Sequence, residues 1–118
     1  MIPCLDVYIV SNDTALLNTL ASKAPIKLDT SVWRGLLDEY TLKVTTTLEG
    51  TPCFIASIRF NREEDRQLIW NKLNNALTTN VKSKLLSGSH INFHDCNHDE
   101  DPKYRISGCG NITTMWSK

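Results

Sequence analysis

The feature that most constrains this chain is the alternation over residues 53–60, where Phe54, Ala56, Ile58 and Phe60 interleave with Cys53, Ile55, Ser57 and Arg59. Successive strand side chains point to opposite faces, so this pattern describes a strand with one strongly apolar face and one mixed face. That is the signature of an antiparallel sheet covered on one side. Residues 40–48 form a second β-rich run, and Glu49-Gly50-Thr51-Pro52 between the two supplies a short turn, so the pair reads as a hairpin.

Around this hairpin the order of elements follows from local chemistry. Leu5 to Val10 is rich in β-branched and aromatic residues and stops at Ser11-Asn12-Asp13, which favours a helix cap. Leu16, Leu17, Leu20, Ala21 and Ala24 then fall at helical spacing until Pro25 forbids continuation, which predicts a helix over about Thr14 to Lys23. Residues 25–39 suit a strand or a short helical turn equally well. Asn61 with Glu64 three positions on reads as a capping box for a second helix whose apolar stripe is Leu68, Ile69, Leu73, Ala76 and Leu77, with the stem of Lys72. Val81 to Leu86 fits a further helical turn or a packed loop, Ser87-Gly88-Ser89 resets the chain, and His90 to about Asn97 reads as the last strand.

This succession, β-α-β-β-α-β, resembles the ferredoxin-like split unit in element order alone. The resemblance spans about residues 5–97 and implies an α+β fold: an antiparallel sheet, two helices on one face, the fourth strand at an edge. It implies a shape and no activity. No linker or repeat divides the chain, so residues 1–118 are expected to form one domain with its core in 5–97 and an irregular C-terminal tail over 98–118.

At 118 residues the chain is long enough to bury an ordinary core without staples. Thirteen basic and thirteen acidic side chains leave no net charge, which provides no long-range attraction for nucleic acid or an anionic membrane and little repulsion between copies. Neither a membrane-spanning run nor a secretory leader is legible, so the cytoplasm is the expected compartment. The four cysteines, at 4, 53, 96 and 109, are widely spaced and are expected as thiols, with Cys96 and Cys109 the pair most apt to interact.

The densest concentration of chemistry is His90, His94, Cys96 and His98, which share one face of the last predicted strand while Ile91 and Phe93 take the other. His94, Cys96 and His98 form a candidate zinc site from mixed nitrogen and sulfur donors, with Cys109 from Ser107-Gly108-Cys109-Gly110, or else Asp99, Glu100 or a water, as the fourth ligand. Three ligands adjacent on one strand do not reproduce a common structural zinc spacing, however, and polar residues on a solvated strand account for the same pattern. No other cofactor is implied.

The sheet face away from the helices would carry Tyr8, Val10 and Ile55 beside the histidines, a mixed surface suited to a face-to-face homodimer or another protein partner. Trp116 in the tail is a further candidate contact. Three functions are therefore open. First is a non-enzymatic, dimeric interaction module; second is a zinc-binding domain; third is a small enzyme with His94 or His98 as base and Cys96 as nucleophile. No phosphate loop, nucleophile elbow or paired-carboxylate pattern accompanies the third.

Overall fold

The computed structural model describes residues 2–23, 41–60, 62–96 and 109–118, with Ile2, Thr41, Cys96, Cys109 and Gly110 described by backbone alone. Among these residues the chain forms β1 (Ile2–Val10), α1 (Thr14–Lys23), β2 (Thr41–Thr46), β3 (Pro52–Arg59), α2 (Glu63–Ala76), α3 (Thr79–Ser83), β4 (His90–Cys96) and β5 (Cys109–Ser117). The strands make one antiparallel sheet in the order β2-β3-β1-β4-β5.

This overturns the ferredoxin-like β-α-β-β-α-β expectation, because the described residues form five strands and three helices where four and two were read. The supposedly irregular tail contributes β5, so β4 is an interior strand with β1 on one side and β5 on the other. Met115 and Trp116 pack against the core, and Lys118 accepts from Gly88 N at 3.0 Å while donating to Ser89 O at 2.8 Å. The third helix grows from Thr78, whose hydroxyl accepts the Val81 N–H at 3.2 Å as an N-cap. Residues 25–39 and 97–108 lie outside the described residues.

The hairpin closes through Thr47 N to Thr51 O at 2.8 Å and Gly50 N to Thr47 O at 2.9 Å, with Gly50 at φ 84°, a left-handed conformation that glycine adopts without steric cost. Helix α1 begins where Asp13 Oδ1 accepts Leu16 N at 3.0 Å. The core lies between the helices and one sheet face: Leu5, Val7 and Ile9 of β1, Phe54, Ala56 and Ile58 of β3 and Ile91 of β4 meet Leu17 and Leu20 of α1 and Ile69, Trp70 and Leu73 of α2. Each fully buried large side chain contributes about 1.5–3 kcal/mol relative to exposure.

Helix α2 buries Ile69 and Leu73 as its apolar pattern suggests, with Leu77 just beyond it, but it turns Arg66 and Trp70 inward and leaves Leu68 outside. Arg66 enters because polar groups meet it there: Nη1 donates to Cys4 O at 3.4 Å, His94 O at 3.1 Å and Asp95 Oδ1 at 3.1 Å, and the guanidinium sits 4.4 Å from the Phe93 ring centroid. The position before the helix is Arg62, which makes no side-chain cap and instead pairs with Asp65 at 3.3 Å. Asn61, the expected cap, lies outside the described residues.

Candidate functional site

The second face of the sheet is organised as rows that cross β3, β1 and β4, because the antiparallel register sets residues of equal parity side by side. The first row is Arg59, Cys4 and His94, the second Ser57, Asp6 and Asn92, and the third Ile55, Tyr8 and His90, with Cys53 opposite Val10 beyond them. Strand β2 extends the rows with Lys43 beside Ile55 and Thr45 beside Cys53.

Burial changes along this face. Arg59 is 5% exposed, Cys4 2% and His94 8%, although two of the three are titratable and polar. One row on, Asp6 retains 41% of its side-chain exposure and places Oδ2 2.6 Å from His94 Nε2. The carboxylate lies directly against the imidazole, so the nearly buried ring has a half-exposed polar neighbour. In the third row Tyr8 and His90 stack with ring centroids 5.6 Å apart, and His90 Nδ1 lies 3.0 Å from Gly88 O.

Beyond the third row an open groove of about 390 Å³ runs between Tyr8, Ile55 and the β2–β3 turn, where Leu48 is fully exposed. A comparable groove of about 430 Å³ lies on the helical side, between Gln67, Leu68 and Asn71 of α2 and Phe93 of β4. Both are shallow surface features that suit a broad contact better than an engulfed small molecule.

The candidate residues from the sequence are distributed as follows. Tyr8 and Ile55 sit half-buried in the third row, while Val10 is buried at the end of β1. Trp116 lies opposite Ile91 and packs, half-buried, on the edge of the core. His94 is in the first row, and Cys96 and Cys109 are directly opposed on β4 and β5. His98 lies outside the described residues. Among the described residues no three or more His, Cys, Asp or Glu side chains are grouped to hold a metal.

Asp6 was missed as the neighbour of His94. The parity of β1 placed Asp6 on the mixed face, but pairing it with His94 requires the β1-β4 adjacency, which no single segment reveals.

Fold and face together define an α+β protein with a five-stranded antiparallel sheet, helices on one side and a graded polar-to-amphipathic surface on the other. No known family, curated protein or solved structure matches the chain. No helix among the described residues is long and apolar enough to cross a membrane.

Proposed function

We propose that this chain is a non-enzymatic interaction module that pairs with a second copy of itself through the second sheet face. The observation that carries the reading is the third row, Ile55–Tyr8–His90, a half-exposed amphipathic strip across β3, β1 and β4. Tyr and His present an apolar body with a polar tip, a composition suited to a face that is solvated part of the time and covered the rest.

Charge does not oppose self-pairing. The face carries Lys43 on one flank and Asp6 near its centre, one charge of each sign. With thirteen charges of each sign, the copies do not repel at long range. Five strands at about 4.8 Å and roughly 20 Å along each bound the face at about 500 Å² per copy, and the buried first row reduces what a partner can cover. This is smaller than the roughly 800 Å² per partner of a standard interface, so the pairing is weak and concentration-dependent.

Light scattering over a concentration series tests the reading. The wild type should rise from the mass of one chain toward twice that mass, and Tyr8→Glu should remain at one chain with an unchanged far-UV spectrum. Leu68→Glu, on the helical side, should behave as wild type. A wild-type mass that stays at one chain throughout, or a dimer that Tyr8→Glu leaves intact, overturns it.

A further inference from the structure

The backbone register makes Cys96 and Cys109 Cα partners on the adjacent antiparallel strands β4 and β5. Directly opposed residues in such a ladder have Cα atoms about 4.5 or 5.5 Å apart, depending on the hydrogen-bonding pattern, and both values fall within the roughly 4.4–6.8 Å that a disulfide spans. We propose that Cys96 and Cys109 form an intrachain disulfide that latches β5 to the sheet, a site of reversible oxidation by a small-molecule disulfide. This goes beyond the interaction reading and does not depend on it.

The other cysteines are poorly placed to compete. Cys4 pairs across to Arg59 and Cys53 to Val10, so the two lie six positions apart along neighbouring strands, about 20 Å. Cys96 is opposite Ile2, which puts Cys4 at a diagonal position about 7–8 Å from Cys96 between Cα atoms, beyond disulfide reach without backbone movement. Cys4 and Cys53 are also buried, whereas exchange requires access.

A second observation shows why this strand needs a latch. Strand β5 opens with Cys109-Gly110-Asn111, a poor β-forming sequence, and Asn111 has φ 54°. Its register against β4 shifts twice, between Ile91 and Asn92 and between Phe93 and Asp95, so the ladder is interrupted on the way to its C-terminal anchor at Lys118. A covalent link at Cys96–Cys109 would fix the weak end and close the 12 residues 97–108 into a loop.

The exchange balances with oxidised glutathione. One protein thiolate attacks a glutathione sulfur, forming a mixed disulfide and releasing one glutathione thiolate. The second protein thiolate attacks the protein-bound sulfur and releases the other. Two protein thiols lose two electrons and two protons overall, and one oxidised glutathione becomes two reduced molecules.

The test is tryptic mapping of the full chain after equilibration with oxidised glutathione and blocking of free thiols. Cleavage after Lys84, Lys103 and Arg105 leaves Cys96 in peptide 85–103 and Cys109 in peptide 106–118. The expected product is these two peptides joined, two hydrogens lighter than their sum, from protein of single-chain mass on a non-reducing gel. Dithiothreitol should separate them, and Cys4 and Cys53 should be found alkylated. Oxidation should also raise Tm by roughly 5 °C or more. Four alkylated cysteines, a linkage through Cys4 or Cys53, a link between two chains, or thiols that a chelator rather than a reductant exposes would each overturn the proposal. The mapping uses wild-type protein, so a misfolded cysteine variant does not affect it.

Discussion

The two faces of β1 are built to opposite rules from alternate residues of one strand. Leu5, Val7 and Ile9 enter a dry layer of aliphatic and aromatic side chains, where their job is filled by shape and volume. Cys4, Asp6 and Tyr8 face the other way into three successive rows, the first buried and the third half-exposed. On the first face any apolar side chain of the right size would serve. On the second, each residue depends on a particular neighbour: His94 on Asp6, Tyr8 on His90. The comparison teaches that alternate residues of one strand are held by different means, by volume on one face and by particular neighbours on the other.

Substitutions sharpen the contrast, and their expected effects fall in order. Leu5→Ala, at a fully buried position, should cost about 2–5 kcal/mol in denaturant unfolding through lost burial and the cavity left behind. Arg66→Met, which leaves the Cys4 and His94 carbonyls and the Asp95 carboxylate without their donor, should cost about 2 kcal/mol; the partial exposure of Asp95 moderates the loss. Asp6→Asn, which keeps a hydrogen-bonding side chain beside His94 but removes its charge, should cost about 1 kcal/mol by the same measurement. Leu48→Ser, fully exposed at the turn, should stay within about 0.5 kcal/mol of wild type. If Asp6→Asn destabilised as much as Leu5→Ala, the division of labour between the faces would fail.

Much of the helix-covered face was legible because its residues obey local periodicities. The interleaving of Phe54, Ala56, Ile58 and Phe60 reports the buried side of β3 directly, and the 3.6-residue spacing from Leu16 to Leu20 reports α1. Strand β5 was not legible, because its two register shifts break the two-residue period within nine residues and glycine and asparagine occupy its start. Arg66 was hidden for a different reason. An apolar-stripe reading of α2 prefers Leu68 to Arg66, yet the end of β1 and β4 offers carbonyls and a carboxylate that only a multivalent donor satisfies. The second-face rows exist only once β3, β1 and β4 are adjacent, a long-range property no segment encodes alone.

The most direct test of the central claim is a concentration series of amide and side-chain NMR spectra of the wild-type chain. Self-pairing through the second face predicts concentration-dependent shifts at Tyr8, Ile55, His90, Asp6 and Lys43, with α1 and α2 unchanged. Shifts centred on the helices, or spectra that do not change while the mass stays at one chain, would contradict it.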